Sequence, residues 1–184
     1  AATAYVALQN AREKGLEIRD EAIQRGFANT KWPARFEILW RGPKTLVVDS
    51  AHNPGAARKL EATLDEFFPH ERIWLVFGVS EDKDVKGILS AIKPRLDKIY
   101  CAQAAHPRAM EARSLAAKAR SAIKSVEVIA DVGDALETAL EKAPEGALIL
   151  VTGSIFVAAT GRIAWLEQLQ ATYDETSSKA NETE

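Results

Sequence analysis

The sequence predicts an α/β domain of the Rossmann-like, three-layer type, in which a mainly parallel mixed sheet of about six strands has helices on both faces. Short β-branched segments alternate with helical segments from residue 36 onward. The segments 46–48 and 148–151 are apolar without alternation, as in strands buried on both faces. This alternation of strands and helices implies right-handed crossovers between parallel strands.

The first 31 residues predict a helical segment that precedes the α/β domain. Residues 4–25 are rich in Ala, Leu, Glu and Arg, and their apolar positions recur at helical spacing. Gly15 should divide this stretch into two short helices, and Gly26 should end the second. Because Pro33 fixes its own φ and disfavours the helical region for the residue before it, residues 32–35 should form a turn. We therefore expect the α/β domain to occupy residues 32–173.

The elements of that domain follow from the pattern of apolar residues. The predicted strands are 36–40, 45–49, 73–77, 98–102, 126–129 and 147–152. The predicted helices are 55–68, 85–96, 109–121, 132–143 and 154–169. The four residues between the first two strands are too few for a parallel crossover, so that pair should be antiparallel. Residues 174–184 contain little to bury and should form a disordered tail.

The composition excludes several classes of protein. A chain of 184 residues with 47% hydrophobic content can bury one continuous core. A formal net charge of −2 gives no field that attracts nucleic acid or an anionic membrane. Cys101 is the single cysteine, and the three histidines lack the spacing of a metal site. No apolar run approaches the roughly 20 residues that cross a bilayer. With a single cysteine and no charge excess, we expect a cytoplasmic protein without membrane or nucleic-acid partners, and we expect it to be a monomer.

Four loops should follow the carboxyl ends of predicted strands, where open α/β sheets bind ligands. They are residues 49–55 (the first loop), 78–84 (the second), 103–110 (the third) and 152–156 (the fourth). In the first loop, Asp49 could accept from ribose hydroxyls or an ammonium group. His52 could donate to a carboxylate or phosphate, and Asn53 could pair with an amide or a ring. Helix capping alone would explain the same residues equally well.

The other loops and the predicted turn add four candidate ligands. Lys83 could neutralise a phosphate or carboxylate, and Arg108 suits bidentate recognition of a carboxylate. Ser154 offers a hydroxyl beside the N–H groups of a helix start, where a carboxylate binds well. Arg35 could reach a ligand held between domains. Each of the four also has a structural alternative, namely a solvated turn, a helix cap or a tether for the linker.

Five short motifs occur in one order along the chain. They are Trp-Pro-Ala-Arg-Phe-Glu at 32–37, Asp-Ser-Ala-His-Asn-Pro at 49–54, Gly78 with Asp-Lys-Asp at 82–84, Pro-Arg-Ala at 107–109, and Val-Thr-Gly-Ser at 151–154. In this order they resemble the folylpolyglutamate synthase/dihydrofolate synthase family of the Mur ligase superfamily. The similarity covers about residues 32–165, and the helical segment before them resembles the end of the family's ATPase domain or a linker.

The resemblance implies an ATP-dependent acid–amino-acid ligase. In such an enzyme, ATP phosphorylates a carboxylate of dihydropteroate or a folate, and the amine of L-glutamate attacks the acyl phosphate. The family's N-terminal ATPase domain would hold the P-loop and Mg²⁺, and this chain contains neither G-x-x-x-x-G-K-[ST] nor G-x-G-x-x-G. We therefore expect the C-terminal, glutamate-ligase domain, which has no metal site of its own and is inactive without its N-terminal domain.

The resemblance also assigns roles to individual residues. Asp49 and His52 would be the catalytic residues. The expected ATP ligands are Arg35, Asp49 and Asn53. The expected glutamate ligands are Lys83, Arg108, Ser154 and His52. Three residues depart from the family pattern and leave substrate detail open, because Ala34 and Ser50 replace a usual glycine and Phe156 replaces a frequent tyrosine.

Two other functions stay open. The C-terminal domain of another Mur-type amide ligase, acting on a peptidoglycan precursor, would share the 49–54 motif but should lack the pieces at 32–35 and 107–109. A freestanding, non-catalytic α/β module could bind a nucleotide or a protein partner.

Overall fold

The computed structural model describes residues 2–170 and residue 172, without the side chain of Gln168. The chain divides into two compact units, Ala1–Trp32 and Pro33–Glu184. This division lies one residue after the predicted start of the α/β domain. The predicted disordered tail, residues 174–184, lies outside the described residues. No helix in the described part of the chain is long and apolar enough to cross a membrane.

The first unit holds two helices, α1 (Ala2–Glu13) and α2 (Asp20–Ala28). Gly15 lies between them with φ +94°, in a region that glycine enters at no steric cost. The prediction that Gly26 ends α2 was wrong, because the helix continues to Ala28 and has Asn29 as its C-cap. Glycine lowers helix stability by only about 1 kcal/mol, so one glycine does not have to end a helix.

The second unit is built on a six-stranded sheet. Its strands are β1 (Glu37–Arg41), β2 (Thr45–Val48), β3 (Ile73–Phe77), β4 (Leu96–Cys101), β5 (Val126–Val128) and β6 (Leu148–Thr152). Their spatial order is β1-β2-β6-β3-β4-β5. The β1–β2 pair is antiparallel and the other four pairs are parallel. The predicted mixed sheet is therefore confirmed, including its antiparallel first pair.

Helices cover both faces of this sheet. They are α3 (Pro54–Phe67), α4 (Val85–Ile92), α5 (Ala112–Ala119), α6 (Val132–Lys142) and α7 (Ile155–Ala164). One core cluster joins the sheet to α3, α4 and α5 through residues such as Leu64, Ile88 and Leu115. A second cluster joins the opposite face to α6 and α7 through residues such as Leu136 and Val157. The predicted three-layer architecture is confirmed.

Three predicted helices are shorter than expected. Helix α4 ends at Ile92, because Pro94 lacks the N–H that an α-helix needs, and a 3₁₀ turn, Lys93–Arg95, follows it. The α-helical part of α7 ends at Ala164, and a π-helical turn, Trp165–Leu169, follows it. Helix α5 begins at Ala112, three residues later than predicted. The Glu111 carboxylate caps it by accepting from the N–H groups of Arg113 and Ser114.

Candidate functional site

The four candidate loops lie together at the carboxyl edge of the sheet. They follow β2, β6, β3 and β4, which are neighbours and run parallel. The Gly153 N–H donates to the Ala51 carbonyl oxygen at 3.1 Å, which joins the fourth loop to the first. The Glu81 N–H donates to the Arg108 carbonyl oxygen at 3.0 Å, which joins the second loop to the third. The structure thus brings together the loops that the sequence placed after separate strands.

Two glycines allow these loops to approach closely. A Cβ atom on Gly153 would lie 2.5 Å from the Gly78 carbonyl oxygen and 2.7 Å from the Phe77 ring. Gly153 also has φ +111°, which side-chain-bearing residues rarely adopt. A Cβ atom on Gly78 would lie 2.6 Å from the Ala102 carbonyl oxygen. The backbone at the start of the second loop therefore packs directly against the backbone at the starts of the fourth and third loops.

A turn precedes β1 as predicted, but it covers residues 33–36, one residue later than the predicted 32–35, and it is strained. Ala34 has φ +57° and Phe36 has φ +46°, both in the left-handed region. That region costs a residue with a Cβ atom about 1–2 kcal/mol. Ala34 is one of the departures from the family pattern, and the usual glycine would adopt this φ without strain. Ser50, a second departure, is not among the residues with positive φ.

Two carboxylates hold the turn on either side of Arg35. Glu37 Oε2 accepts from the Ala34 N–H at 2.7 Å, and Asp49 Oδ2 accepts from the Phe36 N–H at 2.8 Å. Asp49 is only 6% exposed, and its Oδ1 accepts from the Ala51 N–H at 2.7 Å. The backbone N–H groups of the two residues that flank Arg35 are therefore both anchored.

Glu37 is bound in turn by Arg162 of α7. The Arg162 Nε atom lies 3.0 Å from Oε1 and 2.8 Å from Oε2 of Glu37. Burial alone would raise the pKa of the Glu37 carboxyl. The hydrogen bonds from Arg162 and the Ala34 N–H, with the Arg162 charge, lower this pKa below its ordinary value. The carboxylate is therefore held in its charged form.

A pocket of about 190 Å³ opens between the turn and α3. It is lined by Arg35, Phe36, Asp49, Ala51, Ala56, Lys59, Leu60 and Thr63. Arg35 and Asp49, both expected to bind ATP, thus share one pocket, whereas His52 and Asn53 do not line it. Pockets that enclose a drug-sized ligand measure about 300–1,000 Å³, so this pocket suits only part of a nucleotide.

Lys59 was not among the candidate residues predicted from the sequence. It lies on α3 three residues after Ala56 and four before Thr63, the spacing that places residues on one helix face. That spacing was a usable signal once a helix had been predicted directly after the first loop, which Asp49 begins. The pocket therefore presents two cationic side chains, those of Arg35 and Lys59, beside one carboxylate.

The first loop holds the imidazole of His52 and uses Asn53 as a cap. His52 Nδ1 lies 3.0 Å from the Ser50 carbonyl oxygen, which can only accept. Nδ1 therefore carries a hydrogen, and Nε2 is the acceptor atom of the neutral ring. Asn53 Oδ1 accepts from the Ala56 N–H at 2.9 Å at the start of α3. The capping interpretation of Asn53 is confirmed.

The second loop places Lys83 in a different pocket from Arg35 and Asp49. That pocket, of about 350 Å³, is lined by Lys83, Asp84, Val85, Lys86, Ala117, Lys118 and Ser121. Lys83 Nζ lies 2.6 Å from Asp82 Oδ2. The hydrogen bond from Lys83 and the charges of Lys83 and Arg108 lower the pKa of the Asp82 carboxyl.

The third and fourth loops meet through an aromatic contact. The ring of His106 stacks on that of Phe156, with centroids 3.9 Å apart and an interplanar angle of 20°. Ser154 is 8% exposed, and its Oγ accepts from the Val157 N–H at 3.1 Å as the N-cap of α7. Phe156, the third departure from the family pattern, thus contacts a residue that lies 50 positions earlier in the chain, which no local sequence signal indicates.

No metal site is formed by the described residues. In residues 2–170 and 172, no three His, Cys, Asp or Glu side chains are grouped so that they could hold a metal ion.

Comparison with known proteins identifies relatives of this domain. The model of the Mur ligase glutamate ligase domain matches residues 34–155. A probable bifunctional folylpolyglutamate synthase/dihydropteroate synthase of Halobacterium salinarum is 37% identical over 149 residues, which are 80% of this chain and 18% of that protein. The dihydrofolate synthase/folylpolyglutamate synthase of Escherichia coli is 35% identical over 159 residues, which are 86% of this chain and 36% of that protein.

Solved structures of such synthases have the same fold. The bifunctional folylpolyglutamate synthase/dihydrofolate synthase of Yersinia pestis, complexed with AMPPNP and Mn, superposes with a TM-score of 0.72 and 31% identity. The match covers 87% of this chain and 37% of that one. Escherichia coli FolC in complex with DHPP and ADP gives a TM-score of 0.72 and 28% identity, over 91% of this chain and 38% of that one. This chain therefore spans well under half the length of its relatives.

Proposed function

This chain belongs to the Mur ligase family as a glutamate ligase domain, and we propose that it is the C-terminal domain of an ATP-dependent folylpolyglutamate/dihydrofolate synthase. The whole enzyme would join L-glutamate to a carboxylate of a folate or of dihydropteroate. The main support is the shared pocket of Arg35 and Asp49 at the edge where four polar loops meet. Bound AMPPNP, ADP and DHPP in the solved relatives agree with it.

The remainder of the enzyme would supply the phosphate chemistry. In this proposal an N-terminal ATPase domain holds the P-loop and Mg²⁺, and residues 1–31 are the end of that domain or the linker from it. The sequence of this chain has no P-loop motif. We further propose that the enzyme is a cytoplasmic monomer.

The nucleotide would be held at the pocket between the turn and α3. Arg35 and Lys59 offer cationic groups to phosphate oxygens, and Asp49 offers a carboxylate to ribose hydroxyls. Both Asp49 oxygens also accept backbone hydrogen bonds, and the one from the Phe36 N–H would keep Arg35 in place. Asn53, whose oxygen caps α3, would contribute through its amide nitrogen.

The reaction would then run in two steps. The terminal phosphoryl group of ATP passes to a carboxylate oxygen of the acceptor, which releases ADP and forms an acyl phosphate. The α-amine of glutamate next attacks the acyl carbon, a C–N bond forms, and inorganic phosphate leaves. The attacking amine must lose a proton, and His52 Nε2 is the acceptor atom that the first loop presents. Closure of the two domains would exclude water from the acyl phosphate.

Glutamate would be bound by the other loops of the same edge. Ser154 and the N–H groups at the start of α7 suit one carboxylate, and the Arg108 guanidinium suits the other. Lys83 lines a separate pocket, so its proposed contact with glutamate is supported by the family resemblance alone.

A reaction assay tests this proposal. The full-length protein is incubated with ATP, L-glutamate and either dihydropteroate or a folate, and ADP and the glutamylated product are followed together. Equal amounts of ADP and product are expected from the full-length protein, and none from the 184-residue chain. Glutamate ligation by the 184-residue chain alone, or no ligation by the full-length protein with either acceptor, would contradict the proposal.

A further inference from the structure

We propose that Glu37 and Arg162 are positioning residues for Arg35, so that helix α7 sets the place of the arginine that meets the nucleotide. The role of Arg35 itself rests on the proposed function. The hydrogen bonds of Glu37 to Arg162 and to the Ala34 N–H do not depend on it.

The backbone around Arg35 is held in a conformation that it would not adopt alone. The residues before and after it, Ala34 and Phe36, have φ of +57° and +46°. Non-glycine residues persist in such conformations only where the surrounding structure holds them, and these conformations occur often at functional sites. The direction in which Arg35 leaves the chain therefore depends on whatever anchors its two neighbours.

Those anchors are the two carboxylates. Glu37 accepts from the Ala34 N–H at 2.7 Å, and Asp49 accepts from the Phe36 N–H at 2.8 Å. Asp49 comes from the first loop and lines the pocket itself. Glu37 does not line the pocket, so its effect on a ligand there must pass through the turn.

Arg162 fixes the orientation of Glu37. Its Nε atom lies within 3.0 Å of both carboxylate oxygens of Glu37. Glu37 is partly buried, and the hydrogen bonds from Arg162 favour its charged form and hold the carboxylate in one orientation. Without Arg162, the carboxylate would be expected to turn toward water and to release the Ala34 N–H.

Helix α7 therefore connects two loops of the proposed active site. Ser154, its N-cap, lies in the fourth loop, and Arg162 lies eight residues further on, about 12 Å along the helix. The loop proposed for glutamate and the turn proposed for the nucleotide are thus attached to one rigid element. A displacement of α7 would move both.

Kinetics of the full-length enzyme test this inference. Glu37→Gln keeps the size of the side chain and one oxygen, which can still accept from the Ala34 N–H at the place of Oε2. Its NH₂ group takes the place of Oε1 beside Arg162 Nε, so the variant loses the ion pair that orients the side chain. We expect the KM for ATP to rise roughly tenfold, within the range measured for residues of one hydrogen-bonded network, and the KM for glutamate to change less than twofold. The matched control is Glu127→Gln, which breaks another carboxylate–cation pair of the sheet, Lys98 with Glu127 at 2.9 Å. The control should leave both KM values unchanged.

A second experiment shows whether Glu37 acts through Arg35. In an Arg35→Ala background, Glu37→Gln should have no further effect on the KM for ATP, because the residue that it positions is gone. If Arg35→Ala raises this KM and Glu37→Gln does not, the positioning role is wrong while the proposed function stands. If Arg35→Ala leaves the KM for ATP unchanged, the proposed nucleotide site itself is wrong.

A charge exchange separates positioning from a structural ion pair. The double variant Glu37→Arg with Arg162→Glu retains opposite charges, but an arginine at 37 cannot accept from the Ala34 N–H. We expect the KM for ATP to stay raised in this variant, and Arg162→Lys alone to give an intermediate KM. A return of the KM to the wild-type value in the exchanged variant would overturn the inference. If the exchanged variant does not fold, the comparison of Arg162→Lys with Arg162→Met decides, because equal KM values in the two would also overturn it.

Discussion

The Asp49 carboxylate accepts a hydrogen bond from the Phe36 N–H at 2.8 Å, across 13 positions of the sequence. Its other oxygen accepts from the Ala51 N–H. The aspartate of the first loop thus holds both its own loop and the strained turn that carries Arg35. Loss of this hydrogen bond should therefore disturb both the first loop and the position of Arg35.

Asp49→Asn should destabilise the 184-residue chain by about 1–3 kcal/mol, because its amide group can satisfy only one of the two N–H donors. Urea unfolding measures this. Asp131→Asn is the matched control, since a single oxygen of Asp131 accepts from both Gly133 and Asp134, and asparagine keeps that oxygen. Equal loss of stability in the two variants would show that Asp49 does not anchor the turn.

Ala34→Gly should leave the free energy of unfolding within about 0.5 kcal/mol of wild type. Relief of the left-handed φ gains about 1–2 kcal/mol, and the lost methyl burial and the backbone entropy of glycine cost a similar sum. Ala147→Gly is the control, because Ala147 is similarly buried and has no positive φ. It should lose about 1.5 kcal/mol. A similar loss in Ala34→Gly would contradict the strain at the turn.

Gly153→Ala should destabilise the chain by more than about 2 kcal/mol, since the new Cβ atom would overlap the Gly78 carbonyl oxygen and the Phe77 ring. Gly146→Ala serves as the comparison. Gly146 also has a positive φ, +76°, but nothing lies within 4 Å of its Cβ position. It should cost only about 1–2 kcal/mol of backbone strain. Thermal and urea unfolding of both variants measure which one loses more stability. Equal losses of unfolding free energy would contradict the close approach of the loops at Gly153.

The stability that Glu37 contributes should depend on pH. Its pKa is lowered in the folded chain from the ordinary 4.5, so this contribution is fully present above pH 4.5 and is lost as the pH falls through the folded pKa. The difference in unfolding free energy between wild type and Glu37→Gln should therefore be largest near pH 7 and shrink below pH 4.5. Urea unfolding at a series of pH values measures it. A difference that stays constant down to pH 3 would show that the charge of Glu37 is not responsible.

Lys59→Ala should raise the KM for ATP of the full-length enzyme by about tenfold, because it removes a cation from the pocket that holds Arg35 and Asp49. Steady-state kinetics at varied ATP check this. Lys93→Ala is the control: Lys93 is exposed and precedes β4, at the opposite edge of the sheet. An unchanged KM in Lys59→Ala would remove Lys59 from the nucleotide site.

The sequence by itself determined the order and type of the elements. Runs such as 46–48 and 148–151 are apolar throughout because strands covered on both faces bury every side chain, and this information is local. It also determined that the first, second, third and fourth loops end at one edge, since parallel strands share their carboxyl ends. The ends of helices were less well predicted. The apolar spacing allowed α5 to begin at residue 109, but the Glu111 cap makes it begin at Ala112.

Only the tertiary structure decided which side chains meet within that edge. Glu37 and Arg162 are 125 positions apart, and His106 and Phe156 are 50 apart. Such pairs depend on the strand order, which places β6 beside both β2 and β3, and no local pattern specifies that order. The left-handed φ of Phe36 was equally hidden, because the carboxylate that holds its N–H belongs to Asp49, 13 positions away. Periodicity is a property of neighbouring residues, whereas the site consists of contacts between segments that become neighbours only when the chain folds.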